Sequence, residues 1–335
     1  MRFIVLIIII SLATACSKMN EQPVRLFGEA QGTYYSIIYY DDDQRDLQYE
    51  IDSILKGFDQ SVSLWVPQSI LSRVNGGDTS VLLDKYFMDN FRLAYDVAEK
   101  TGGAFDMTVG ALVRAWGFGF DATKKVNEGI IDSILAFTGY EKVSLEGNRL
   151  NKEDPRTSLD FNALAQGYSV DLLCDFLESK GINRYLVDIG GEVRGKGRKT
   201  GGVKWKVGIE RPAKSASDAR DIQSVVAIEE KAIATSGNYR KFYEENGVRY
   251  SHTIDPRTGY PVQHSLLSAT VMADKAAVAD AYATAFMVMG LEKSLKYLEK
   301  NDNLAAYFIY SREGSSYGHY ATENFKGYLN EEGNN

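Results

Sequence analysis

The chain has 335 residues, 44% of them apolar and 12% aromatic, ample material for a sizeable core. Its 38 Lys and Arg against 45 Asp and Glu leave a formal net charge of −7. With no basic surplus, no nucleic-acid partner is expected.

Residues 1–15 stand apart. Arg2 gives a positive start, 3–10 is an apolar run, and Ser11-Leu12-Ala13-Thr14-Ala15 is rich in small residues ahead of Cys16. The run is too short to span a bilayer as a mature helix and has the shape of an export signal peptide. A cysteine directly after such a site resembles the lipobox of bacterial lipoproteins, although Ala13 stands where Leu is usual and Leu12 lies one place further off. Lipidation of Cys16 is therefore expected. It would tether an exported domain to a bacterial membrane, facing the periplasm; plain secretion and an uncleaved anchor are the alternatives. With Cys16 acylated, Cys174 has no disulfide partner, and within 171–177 it reads as a buried apolar residue on the inner face of a helix.

Residues 16–24 then form a polar tether, 25–328 one domain and 329–335 a polar tail. Alternation predicts two hairpin strands at 25–29 and 32–40. Leu47, Ile51, Ile54, Leu55 and Phe58 fall at helical spacing. The stretch 61–75 lacks a regular pattern, and a second amphipathic helix covers 84–100, stopped by Gly102-Gly103. A helix over 163–180, closed by Gly181, leads into a strand at 185–189. Strands follow at 204–210 and 224–229, helices at 275–289 and 291–299, and a strand at 304–310. This mixture without regular βαβ alternation predicts an α+β fold.

Four stretches carry chemistry. In 101–108, Gly102-Gly103 reads either as a helix C-cap or as a turn exposing N–H groups to a ligand beside Ala104-Phe105-Asp106. In 159–168, Asp160 is placed at a strand end with a helix opening at Asn162; either residue is a plain N-cap, or the turn offers a carboxylate and carbonyls to a ligand, with Gln166 in the first helical turn. In 276–285, Asp280 and Thr284 stand at i and i+4 on a helix of small apolar residues. That pair suits a hard cation such as Mg²⁺, or is a partly buried Asp satisfied by Thr. In 250–262, Pro256 and Gly259 make a stiff turn beside His252, which is flanked by Ser251, Thr253 and Asp255. His252 reads as a candidate proton-transfer group, against an incidental histidine on a solvated hairpin. No Walker A, Rossmann, His-Glu-x-x-His or nucleophile-elbow pattern is present.

In their order, Gly32-Thr33, 69–75, 102–106, 116–119, 160–168, 188–192, 234–237, 250–262 and Ala279-Asp280-Ala281 with Thr284 resemble the FAD:protein FMN transferases, the ApbE family of flavin-handling bacterial lipoproteins, over residues 25–325. The resemblance implies a T-fold-like α+β architecture with an FAD cleft between two halves. It also implies Mg²⁺-dependent transfer of FMN from FAD to a Thr or Ser hydroxyl of an acceptor protein, such as a redox-complex subunit or an extracytoplasmic flavoprotein, with release of AMP. By position, Asp280 and Thr284 match side-chain metal ligands and Ala163 a carbonyl ligand. Ala104, Phe105, Asp106, Asp160, Gln166 and Ile254 match flavin-nucleotide contacts, and His252 matches the base that activates the acceptor hydroxyl. Gln31 replaces a usual Met, Trp65 a Tyr expected to stack on a ring of FAD, Gln166 a frequent Lys or Glu, and Ile70 a common Glu. The alternatives are an FAD pyrophosphatase giving FMN and AMP, and a non-enzymatic FAD-binding lipoprotein.

Overall fold

Along 33–39, Tyr35, Ile37 and Tyr39 are buried and the residues between them are not, the period-two signature of a strand with one face on a core. A computed structural model of the chain describes residues 22–118, 126–212, 221–238, 242–245, 248–251, 253–312 and 316–330. The expected signal peptide, Cys16 and His252 lie outside the described residues. Among those described, no helix is long and apolar enough to cross a membrane.

An eight-stranded sheet runs in the order β1 (Val24–Ala30), β2 (Thr33–Tyr39), β5 (Tyr185–Ile189), β6 (Glu192–Lys196), β9 (Lys231–Gly237), β12 (Leu266–Ala273), β13 (Ala305–Ser311), β14 (Tyr317–Ala321), with every neighbouring pair antiparallel. Separate two-stranded ribbons pair β3 (Val143–Glu146) with β4 (Arg149–Lys152), β7 (Trp205–Glu210) with β8 (Ile222–Ile228), and β10 (Phe242–Glu245) with β11 (Val248–Ser251).

Side-chain alternation divides the core between the two faces of the sheet. Ile37, Val187, Ala234, Val271 and Phe308 point to the face covered by α1 (Gln48–Val62), α3 (Lys85–Lys100), α6 (Ala165–Ser179) and α7 (Ala276–Met289). Val193, Ile233, Met272, Tyr307 and Ile309 point to the other, where Trp205, Val226 and Ile228 of the β7–β8 ribbon and Phe325 complete a second core. Helices on one face of an antiparallel sheet define the expected α+β class.

Several expectations move. The helix placed at 163–180 begins only at Ala165, because the Asp160 carboxylate accepts from Asn162 N–H at 2.8 Å and Phe161 O from Leu164 and Ala165 N–H, which turns the chain before the helix starts. Neither Asp160 nor Asn162 is therefore the N-cap, and Asp160 ends no strand; it follows an isolated bridge between Val109 and Ser158. The patternless 61–75 contains α2 (Ile70–Asn75), capped by Ser69 accepting from Ser72 N–H. Cys174 is free and buried on α6 as expected, and burial pushes its thiol well above the usual range.

Candidate active site

The small residues of α7 determine the site. Ala276, Ala277, Ala279, Ala281, Ala283 and Ala285 are all buried, so α7 sinks between α6 and strands β9 and β12. The crossing with α6 is tight enough that a Cβ on Gly167 would stand 2.4 Å from the carbonyl oxygen of Ala276. Contact at that point is fixed from both sides. Asp280 of α7 accepts from Gly167 N–H, in the first turn of α6, at 3.1 Å, and Asp171 of α6 accepts from Ala276 and Ala277 N–H, the start of α7, at 3.1 and 3.0 Å. Each helix thereby supplies a carboxylate to the other's N-terminus, where unpaired N–H groups and the helix dipole favour negative charge.

Asp280 and Thr284 face a cleft of about 1260 Å³. The cleft is lined by eleven of the candidate residues: Gln31, Trp65, Ala104, Phe105, Asp106, Asp160, Ala163, Gln166, Ile254, Asp280 and Thr284. Gln31 sits at positive φ in the two-residue β1–β2 turn, the conformation that closes tight hairpins, and its amide touches the Ser169 hydroxyl. Trp65 is 60% exposed at the mouth.

Gly102-Gly103 closes α3 directly past its C-cap Thr101, with Gly102 N–H donating to Glu99 O at 3.2 Å and Gly103 N–H to Ala98 O at 2.9 Å. The cap turns the chain so that Ala104-Phe105-Asp106 meets the cleft. The Asp106 carboxylate accepts from Thr108 N–H and hydroxyl, both at 2.7 Å, and from Tyr140 N–H at 2.8 Å. Burial nonetheless pushes its carboxyl up to about 6. Burial also raises Asp160.

The turn at 255–259 is as stiff as its sequence suggests. Ile254 bridges Pro261, Gly259 N–H donates to Asp255 O, and Trp116 Nε1–H donates to Gly259 O at 2.7 Å. Asp255 is committed to Arg257, accepting from Nε at 2.8 Å and Nη2 at 2.7 Å. Thr253 and Ile254, which follow His252 in the chain, both line the cleft.

Two residues that spacing did not single out complete the Asp280 end of the cleft. Ser236 of β9 shares a hydrogen bond of 3.1 Å with the Thr284 hydroxyl. Glu192, the first residue of β6, is 8% exposed, lines the cleft, and has an Oε2 with no hydrogen-bond partner. Burial raises Glu192, and the neighbouring Asp280 charge raises it further. Asp280 is itself raised by burial, against the opposing hydrogen bond from Gly167. Both residues belong to motifs visible in the sequence, 188–192 and 234–237, but their burial and neighbours come from strand pairing between distant segments.

Seven acidic residues line the cleft, Asp59, Asp106, Asp160, Asp188, Glu192, Glu210 and Asp280, with Lys206 the one basic residue among the described lining. No group of three His, Cys, Asp or Glu poised to hold a metal occurs among the described residues. A cation at Asp280 would thus draw on hydroxyl and carbonyl oxygens as well as carboxylate, the donor set of a hard ion.

Fold and cleft together define an α+β protein with a large cleft whose wall carries a carboxylate and hydroxyl pair. The ApbE family model matches residues 31–308, and the chain belongs to the ApbE family. It is 37% identical to the FAD:protein FMN transferase of Vibrio cholerae serotype O1 over 326 residues, covering 95% of this chain and 96% of that one. The Escherichia coli K12 protein of the same name is 34% identical over 322 residues, covering 92% and 90%. Among solved structures, the flavin transferase ApbE from Vibrio cholerae superimposes with a TM-score of 0.82 at 36% identity, covering 92% of this chain and 99% of that one. The apo flavinyl transferase ApbE of Pseudomonas stutzeri gives 0.81 at 32% identity, covering 92% and 97%.

Proposed function

We propose that this chain is an FAD:protein FMN transferase, moving FMN from FAD to a Thr or Ser hydroxyl of an acceptor protein and releasing AMP. The observation that carries the reading is the acidic cleft of about 1260 Å³ that gathers eleven residues chosen from the sequence. With seven acids and one lysine among its described lining, the cleft favours a pyrophosphate that brings cations with it. Asp280, Thr284 and the Ala163 carbonyl are the groups that would hold Mg²⁺. When bound, the ion neutralises charge on the pyrophosphate oxygens.

The protein residues divide the remaining work. Trp65 offers an aromatic face at the mouth, and Phe105 and Ile254 supply apolar walls for the nucleotide. His252 takes the acceptor hydroxyl proton as that oxygen attacks the phosphorus on the FMN side. A phosphoester bond forms, the pyrophosphate bridge breaks, and AMP leaves with the bridging oxygen. We further assign Cys16 as the lipidated residue of an exported protein facing the periplasm, on the strength of the segment before it.

The test is incubation of the protein with FAD, Mg²⁺ and a candidate acceptor protein, followed by intact mass. Added FMN mass on the acceptor supports the reading. Free FMN and AMP with an unmodified acceptor would make the protein a hydrolase, and unchanged FAD would make it a binder.

A further inference from the structure

Glu192 has no part in the scheme above, although it is buried in the wall of the same cleft. It opens β6 directly after the turn Gly190-Gly191, and that turn cannot slide: a Cβ on Gly190 would meet the Gln166 amide at 2.5 Å and Thr33 Cγ2 at 2.8 Å. Pairing of Ile189 with Glu192 across the hairpin fixes the residue further. Its Oε2 is buried without a hydrogen-bond partner in the cleft that Asp280 and Thr284 also line, and the nearby charges acting on it are those of other carboxylates, Asp280 and Asp188. The neighbouring guanidinium is engaged elsewhere, since Arg194 donates to Asp171 at 2.9 Å. Two buried acids on the wall of one cleft, neither with a Lys or Arg ion pair among the described residues, are costly to ionise unless a cation joins them.

We propose that Glu192 is a charge-bearing member of the divalent-cation site, set beside Asp280 and Thr284 to accept hydrogen bonds from water carried by the cation. This rests on the reading that a divalent cation binds at Asp280. Mg²⁺ gives up its waters reluctantly, and such waters are strong donors for an oxygen that the protein leaves unpaired. A second negative charge in a buried site also raises the preference for a divalent over a monovalent ion.

The experiment titrates Mg²⁺ calorimetrically into the EDTA-treated full chain and follows thermal unfolding with and without Mg²⁺. Glu192→Gln is nearly isosteric, so it removes charge without removing volume. The expected result is a Mg²⁺ Kd weaker by on the order of 10-fold or more. The same variant should gain less in unfolding temperature from added Mg²⁺ than the wild type does. Glu192→Asp, which keeps the charge on a shorter arm, should recover part of the affinity. Wild-type affinity in Glu192→Gln, with binding lost in Asp280→Asn, would overturn the role of Glu192 while leaving the site at Asp280 intact. Failure of the wild type to bind Mg²⁺, or undiminished binding by Asp280→Asn, would overturn the underlying reading as well.

Discussion

Asp280 accepts a hydrogen bond from Gly167 N–H at 3.1 Å, so the carboxylate assigned to the metal also stitches α7 to the first turn of α6. A substitution there acts on chemistry and packing together. Asp280→Asn, with its side-chain oxygen still able to accept from Gly167, separates the two. It should lower Mg²⁺-dependent FMN transfer by on the order of a hundredfold or more while largely retaining the fold, checked by intact-mass assay and circular dichroism. His252→Ala should lower transfer by about 100- to 10,000-fold, the range for loss of a general base, with FAD affinity unchanged in a fluorescence titration. Full transfer in either variant would refute the corresponding role.

Gly167→Ala places a Cβ where the Ala276 carbonyl oxygen would be 2.4 Å away. Both partners are backbone, so α6 and α7 must separate. Denaturant unfolding should show a loss of about 1–3 kcal/mol, the usual cost of overpacking, and Mg²⁺ affinity should fall with it because Asp280 moves. A variant as stable as the wild type would show that the two helices slide freely.

Trp65 is 60% exposed, so its replacement should leave stability within about 0.5 kcal/mol. Trp65→Ala should weaken FAD binding by about 0.5–1.5 kcal/mol, the contribution of one aromatic stack, whereas Trp65→Tyr should restore it. Equal FAD affinity in all three proteins would remove Trp65 from the site.

Asp106 titrates against burial, with its carboxyl raised from 3.8 to about 6. An acid raised on folding contributes stability that is fully present below pH 3.8 and is lost as pH rises through about 6. Asp106→Asn lacks that dependence. The stability gap between wild type and Asp106→Asn should therefore widen by on the order of 2 kcal/mol from pH 7 to pH 4, measured by urea unfolding at each pH. A constant gap would mean that the three hydrogen bonds to Asp106 outweigh its burial.

Local pattern made much of this legible. Asp84 and the apolar spacing after it delimit α3, which runs Lys85–Lys100, and the 185–189 strand is found as Tyr185–Ile189. The chemistry-bearing stretches were legible too, because Asp280 and Thr284 are set apart by the small apolar residues around them. The strands β6, β9 and β12 were not. Leu266–Ala273 is an almost unbroken apolar and small-residue run, which periodicity cannot tell from a buried helix, and its partners lie on β9 and β13. The start of α6 was misplaced because an Asp160 side chain competes with the helix for Asn162 N–H. Glu192 could be seen as part of a Gly-Gly-Glu turn, but only the hairpin and α7 together bury it.

The β1–β2 hairpin has a consequence for reach. Its turn, Gln31-Gly32, forms part of the cleft wall, so the Val24 end of β1 lies a strand's length away, about 24 Å at 3.4 Å per residue. The tether proposed between Cys16 and Val24 adds at most about 30 Å when fully drawn out. With the lipid at Cys16, the active site would patrol a shallow layer within roughly 50 Å of the bilayer. Acceptors would then be met by lateral encounter along that surface, at a local concentration set by the leash and not by the volume of the compartment.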